Sequence, residues 1–364
     1  MTNKLQNPEF KTAKIILGAV LGFVLVLIGW RVAMVTNNQE EVTASQITSS
    51  TLGESQPLAE KKARLLLFGD LMIDRNVKRQ IDRYGQDYLF KELFKESAIQ
   101  YSDFDIIGAN LEGPFTNRRV RTSKSIAFRF DPALISMLKK YNLTIFNNAN
   151  NHSYDMGSSG FEQSKENLRR DGLLFYGSQY SVDNGSMIIQ KVGDYDIAFI
   201  GVNDTNSPVD TWKVKELIAR AEREADYTIL NIHWGQEYKE VSNSRQRSLA
   251  RAFIDAGVDA IIGHHPHVIQ EMEIYKDRPI FYSLGNFVFD QYFSTPTQRG
   301  LGVGLTFEDN SISVKIFPFK GVRSQVVLLN DTGKNSWKQG WLVKSRLNGY
   351  IFDNFNIRTD ISRN

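Results

Sequence analysis

Residues 260–267 read Ala260-Ile261-Ile262-Gly263-His264-His265-Pro266-His267, three apolar residues running straight into a glycine and three imidazoles. A short, continuous, Ile-rich run of this kind is the pattern of a strand buried on both faces. The same succession of apolar run and polar cluster recurs along the chain. The run at 65–68 leads into Gly69-Asp70, that at 106–109 into Asn110-Leu111-Glu112, and that at 143–146 into Asn147 through His152. The run at 228–232 leads into His233-Trp234-Gly235, and that at 280–284 into Gly285-Asn286-Phe287.

Helical stretches alternate with these runs. Ser159-Gly160-Phe161-Glu162 has the form of a capping box opening a helix that ends at Gly172. Residues 245–256 place Leu249, Phe253 and Ala256 on one face and stop at Gly257. The alternation predicts an α/β layer architecture. In such folds ligands gather beyond the carboxyl ends of the strands, which is where all the polar clusters fall.

The chain has five histidines, and each lies in one of these clusters. In an extended segment the His265-x-His267 spacing points both rings the same way, because side chains alternate with period two. Two imidazoles on one side suit a divalent transition metal. Asp70 and Glu112 each end a buried run, where a carboxylate is costly unless paired or bound to a cation. Asp70 alone would also suit a turn or a helix N-cap. Among Asn147, Asn148, Asn150 and Asn151, some fix the turn by side-chain bonding, while Asn151 beside His152 is a candidate amide ligand. Trp234, Tyr238, Phe287 and Tyr292 fit a pocket wall and core packing equally well.

Length and composition bound the rest. The 364 residues, 41% of them hydrophobic, are enough for one large domain or two small ones. Lys4, Lys11, Lys14 and Arg31 face Glu9 alone in residues 1–35; of the 44 basic and 41 acidic residues in all, the remaining chain therefore holds 40 of each. That balance gives no nucleic-acid footprint. The absence of cysteine excludes disulfides, thiolate catalysis and Cys-ligated zinc.

From Ile15 to Trp30 every residue is apolar or Gly, and apolar character resumes after Arg31 through Val35. With Arg31 snorkelling, the stretch reaches the ~20 residues that span a bilayer. The flanking lysines predict a cytoplasmic segment 1–14 and a single-pass anchor 15–35, with the rest outside. A cleaved signal peptide is the rival reading, but the residues directly after Trp30, Arg-Val-Ala-Met-Val, offer no good small-x-small cleavage site. Residues 36–62 are rich in Gln, Glu, Ser and Thr without aromatics, and read as a flexible linker.

The motifs Gly-Asp-Leu-Met (69–72), Asn-Leu-Glu (110–112), Ala-Asn-Asn-His (149–152), His-Trp-Gly-Gln-Glu-Tyr (233–238), Gly-His-His-Pro-His (263–267) and Tyr-Ser-Leu-Gly-Asn-Phe (282–287) together resemble the ordered signature of CapA proteins. These are the capsule and poly-γ-glutamate synthesis family related to metallophosphatases. The resemblance implies a four-layer αββα, metallophosphoesterase-like fold over residues 63–325, leaving 326–364 as a C-terminal extension. It also implies a place at the bacterial cell membrane, with an anionic polymer and other membrane subunits of a synthase or export complex as partners. Carried onto this chain, the metal set is Asp70, Glu112, Asn151, His233, His265 and His267, and His152 is the general acid or transition-state hydrogen-bond donor. Arg75, Arg129 and Arg299, with His264 as an extra ring, are the candidates for substrate binding, since an arginine fork suits phosphate or carboxylate. Two departures stand out: Met72 replaces the His of the wider Asp-x-His motif, and Glu112 replaces Asp. The expected cofactor is one or two divalent ions, Mn, Zn or Fe before Mg, because imidazole is a poor Mg ligand.

Overall fold

The structure is a computed structural model that describes residues 61–95 and 99–360, all within one compact unit. The expected anchor 15–35, the cytoplasmic segment 1–14 and nearly all of the linker 36–62 lie outside the described residues. Among the described residues no helix is long and apolar enough to cross a membrane.

In chain order the first half contains β1 (Lys62–Leu71), α1 (Arg75–Tyr84), β2 (Ile106–Leu111), α2 (Ile135–Lys140), β3 (Leu143–Asn147), α3 (Gly157–Arg170), β4 (Leu174–Tyr176), β5 (Met187–Val192) and β6 (Tyr195–Asn203). There follow α4 (Thr211–Glu224), β7 (Tyr227–His233), α5 (Ser244–Ile254), β8 (Ala260–His264), β9 (Met272–Tyr275), β10 (Arg278–Phe281) and β11 (Asn286–Val288). The chain closes with β12 (Arg299–Glu308), β13 (Ser311–Val322), β14 (Gln325–Leu328), α6 (Asp331–Lys344) and β15 (Asn356–Asp360).

The strands form two sheets. One runs β14-β13-β12-β1-β2-β3-β4, with β11 also on β1 and β15 on β13; the other runs β5-β6-β7-β8-β10-β9. Strand alternation explains why the apolar runs are continuous. In β1, Leu65 and Leu67 face the core between the sheets, where they join Ile229 of β7 and Ile262 of β8. Leu66 and Phe68 face the other way, onto Val77 of α1, Leu138 of α2 and Leu168 of α3. On the far side of the second sheet, Leu230 and Ile261 pack against Leu217 of α4 and Phe253 of α5. The layers are therefore helix, sheet, sheet, helix.

This arrangement aims the polar clusters at one another. β1, β2 and β3 are adjacent and parallel, and so are β7, β8 and β10, so each sheet presents three neighbouring C-terminal ends. Gly69 permits the tightest approach: a Cβ there would lie 1.8 Å from the Gly285 carbonyl oxygen. Directly after it the ladder slips at Asp70 against both β2 and β11, a bulge that re-aims the carboxylate.

Two sequence expectations change. Helix α3 starts at Gly157, φ 69°, rather than at a Ser159 cap, and no side chain caps it. The turn ahead of it, held by Asp155 N–H to His152 O and Gly157 N–H to Tyr154 O, sets the start instead. Residues 326–364, set apart in the sequence as an extension, contribute to the domain itself. Trp337, Trp341 and Ile357 are buried in the core between the sheets, and β15 pairs with β13. The apolar residues of this segment are too widely spaced to show as a run, yet two indoles supply much buried area.

Candidate metal centre

Asp70 at the end of β1 and Glu112 just past β2 are both completely buried. Asp70 Oδ1 accepts from Asn110 Nδ2 at 2.8 Å, and Asp70 Oδ2 lies 3.3 Å from His267 Nδ1. Asn110 in turn accepts from the Asn147 and Asn150 amides at 3.0 and 3.2 Å. The asparagines thus form a buried amide chain that locks the first three strand ends together. From the second sheet, His233 at the end of β7 faces Asn151, with Nε2 2.8 Å from Oδ1. The loop after β8 brings His265 and His267 to a ring separation of 6.0 Å. It does so through positive backbone angles at both residues, φ 94° and 57°, not through an extended segment. The expected alternation is replaced by a turn.

Ligand atoms of Asp70, Glu112 and His267 lie within 4.8 Å of one another, and so do those of Glu237, His265 and His267. His267 belongs to both groups. Among the described residues, both Glu112 oxygens and His265 Nδ1 are buried without any hydrogen-bond partner. An unpaired buried carboxylate is strongly unfavourable, and a cation is the partner that suits this mixture of carboxylate and imidazole. The donor set therefore fits a divalent metal.

The electrostatics agree. Burial, with His265 and other nearby rings adding to it, holds His233 well below the usual imidazole value, and burial brings His264 and His265 down to about 4. Neutral rings are what a metal requires. Burial would also lower His267, but the Glu112 charge and the Asp70 hydrogen bond outweigh it and raise this ring to about 9. Burial pushes the Glu112 carboxyl well above its ordinary value. For Asp70 burial acts upward, yet the His267 hydrogen bond and charge bring the carboxyl below its usual value.

His152 stands at the edge of this cluster. Its Nδ1 is 2.6 Å from Asp155 Oδ2, its Nε2 is 3.9 Å from Glu112 Oε1, and its side chain is 12% exposed while that of Glu112 is 0%. Phe128 packs on the ring at 4.4 Å, supplying an apolar flank that the local sequence does not reveal. Asp155 also accepts from Phe128 N–H at 2.7 Å and pairs with Lys124 at 2.5 Å.

The proposed substrate-binding residues separate. Arg75 is beside the cluster: it pairs with Asp290, and its guanidinium lies 5.0 Å from the Phe128 ring. It lines an open cleft of about 430 Å³ with Arg79, Ile126, Tyr238 and Phe293. Arg129 is spent on structure, its backbone N–H donating to Asp74 and its Nη1 to the Thr116 carbonyl at 3.2 Å. Arg299 lines another cavity, of about 310 Å³, with Trp337, Trp341 and Lys344, and no histidine reaches it. His264 is fully buried, its Nε2 3.1 Å from Asn231 Oδ1 and its Nδ1 3.8 Å from Asp70 without a hydrogen bond, so the ring is not open to a ligand from solution. Trp234 and Phe287 are core residues, whereas Tyr238 and Tyr292 are exposed.

Sequence reading missed several members of this cluster. Asp155 follows His152 by three residues, a spacing that closes only in a tight turn. Asn110 and Glu237 sit inside quoted motifs, but nothing in their local pattern marks them as facing the centre.

The residues 64–291 match the family model described as bacterial capsule synthesis protein PGA_cap. The chain is 36% identical over 240 residues to the PGA biosynthesis protein CapA of Bacillus subtilis, covering 61% of this chain and 62% of that protein. It is 30% identical over 276 residues to the capsule biosynthesis protein CapA of Bacillus anthracis, covering 70% and 66% respectively. The matches thus span just under two thirds of these relatives' length. Among solved structures it is similar to a novel phosphatase from Mycoplasma pneumoniae, with 13% identity, a TM-score of 0.41 and coverage of 74% and 92%. The matched segment takes in every strand-end cluster of the centre, and the chain belongs to the bacterial capsule synthesis protein family, PGA_cap.

Proposed function

We propose that this protein is a membrane-anchored, outward-facing member of its family that acts in the synthesis or export of an anionic capsular polymer such as poly-γ-glutamate. We propose further that its strand-end cluster is a hydrolytic metal centre for phosphoester or amide bonds. The polymer reading is supported by the family match and by the names of the Bacillus relatives. The anchor reading is supported by the Lys-flanked apolar run at 15–35.

The observation that carries the catalytic reading is the His152–Asp155 pair, solvent-reaching and set beside the orphaned Glu112. Asp70, Glu112, Asn151, His233, His265 and His267 would hold the metal, with Glu237 as a further donor. A bound divalent ion polarises a phosphoryl or carbonyl oxygen and lowers the pKa of its water. Asp155 accepts the Nδ1–H of His152 and fixes the ring, leaving Nε2 to give its proton to the leaving atom. Arg75, held over Phe128, offers an anion-binding fork at the cleft. The amide chain through Asn110 keeps Asp70 aimed without occupying both of its oxygens.

Purified full-length protein loaded with Mn or Zn tests this on an activated phosphate ester and a γ-glutamyl amide. His152→Ala is expected to keep its metal and lose about 10²–10⁴-fold in rate, and Glu112→Ala to lose metal and rate together. If His152→Ala cells display normal surface polymer while Glu112→Ala cells display none, the centre is structural or polymer-binding and the catalytic reading falls.

A further inference from the structure

Between Gly113 and Phe130 the chain has five cations, Arg118, Arg119, Arg121, Lys124 and Arg129, and no acidic residue. This is a sharp local imbalance in a chain that is neutral overall past its first 35 residues. The segment forms a loop pinned at its base. Thr116 N–H donates to Phe130 O at 3.0 Å, Phe130 N–H to Pro114 O at 2.9 Å, and the two phenylalanine rings pack at 5.3 Å. Arg129 stitches across the same base to Thr116.

The loop is also fastened to the candidate centre. Lys124 Nζ donates to the Asn151 carbonyl and to Asp155 Oδ1, both at 2.5 Å, and so touches the residue before His152 and the carboxylate paired with its ring. Farther along, Ile126 lines the cleft that holds Arg75 and Arg79. Arg118, Arg119 and Arg121 are exposed, and no carboxylate pairs with them among the described residues. Unpaired arginines held together on a pinned loop repel one another and gain from an anion that neutralises several at once.

We infer that this arginine loop is a binding surface for a linear polycarboxylate chain, which it feeds along Lys124 towards the cleft of Arg75 and Arg79. The inference rests on the polymer reading above and extends it from the Arg75 cleft to Arg118, Arg119 and Arg121, which the metal centre does not use. A membrane surface of anionic lipid is the competing partner for such a loop. The fastening of Lys124 to Asn151 and Asp155 and the place of Ile126 in the wall of the Arg75 cleft favour the polymer.

The test uses full-length protein in detergent and the variant Arg118→Gln/Arg119→Gln/Arg121→Gln, with metal content and small-ester hydrolysis as controls. Binding to a defined poly-γ-glutamate is measured at low and high salt, beside binding to phosphatidylglycerol vesicles. The expected result is roughly tenfold or greater weakening towards the polymer, from three exposed cations, with a flatter salt dependence and unchanged metal content. Wild-type protein that does not bind the polymer, or a variant that binds it equally well, overturns the inference. Loss confined to the vesicles overturns it in favour of a lipid surface. The controls report separately on the metal centre, so its failure would be seen as absent metal or absent ester hydrolysis.

Discussion

Among the carboxylates buried in the described residues, two pairs are treated in opposite ways. Glu271, just before β9, and Glu273 on it are 0% and 1% exposed, and every oxygen is engaged. Glu271 accepts from Ser242 N–H at 3.0 Å, Ser242 Oγ at 2.6 Å and Arg346 at 3.0 Å. Glu273 accepts from Arg251 at 2.9 Å and Tyr282 OH at 2.8 Å. Asp70 and Glu112 are as deeply buried, yet Glu112 has no donor at all among the described residues. A saturated buried acid holds structure together; here it ties the 326–364 segment to the sheet through Arg346. An orphaned one beside the His152 and His267 rings is a site prepared for something the chain does not itself supply.

The largest effect that separates the pairs is stability without metal. Glu271→Gln turns an amide N–H2 towards the donors of Ser242 and Arg346, breaking a buried network. A loss of about 3 kcal/mol is expected, at the low end for buried pairs because the Arg346 side chain is 35% exposed. Glu112→Gln removes a carboxyl that accepts no hydrogen bond and faces only the His152 and His267 rings, at 3.9 and 3.6 Å, so the loss in chelator-treated protein is expected to be clearly smaller. Urea unfolding of both variants in chelator measures this. Equal destabilisation would erase the contrast.

Next in size is the stabilisation that metal confers. A ligand at 100 times its Kd stabilises by about 2.7 kcal/mol. Wild type and a folded Glu271→Gln are expected to gain such an increment on adding Mn or Zn, and Glu112→Gln to gain little. Thermal unfolding across a metal titration reads it. An undiminished shift in Glu112→Gln would remove that carboxylate from the metal set.

Much of this contrast is legible in the sequence on one side and hidden on the other. The six runs ending in polar clusters give the strands, and with them the edge where Asp70, Glu112, Asn151, His233, His265 and His267 converge, because strand direction and hydrophobic alternation are local properties. The burial of both faces of β1 and β7 follows from the same runs. What is hidden depends on tertiary pairing. Asp155 reaches His152 only through a turn, and Lys124 reaches Asp155 from a loop 31 residues earlier. The two roles of arginine, a cleft-lining Arg75 held by Asp290 and a structural stitch at Arg129, look alike in sequence since both lie beside apolar residues. Arg299 and the two tryptophans meet across 38 and 42 residues of chain, and no periodicity records that.

The effect that is smallest per step, about 1.4 kcal/mol for each pH unit, concerns protons, and it sharpens the comparison because only the orphaned pair should show it. In the metal-free protein Glu112, Asp70 and Glu237 raise His267 from 6.5 to about 9 despite its burial. A folded value above the unfolded one contributes stability that is full below pH 6.5 and lost as pH rises through 9. A metal needs the neutral ring, so binding must expel that proton across the same window. Metal affinity is therefore expected to rise with pH by up to about tenfold per unit, or ~1.4 kcal/mol, and to level off above 9. Metal-free protein should lose stability between pH 6.5 and 9 while metal-saturated protein does not. Unfolding at pH 6.5, 7.5 and 8.5, with chelator and with Mn, gives both slopes, and calorimetry in buffers of different ionisation enthalpy counts the proton. His267→Gln should abolish the release, whereas Glu271→Gln should leave it intact. Parallel slopes with and without metal would mean that His267 keeps its proton, and that the cation, if any, sits elsewhere.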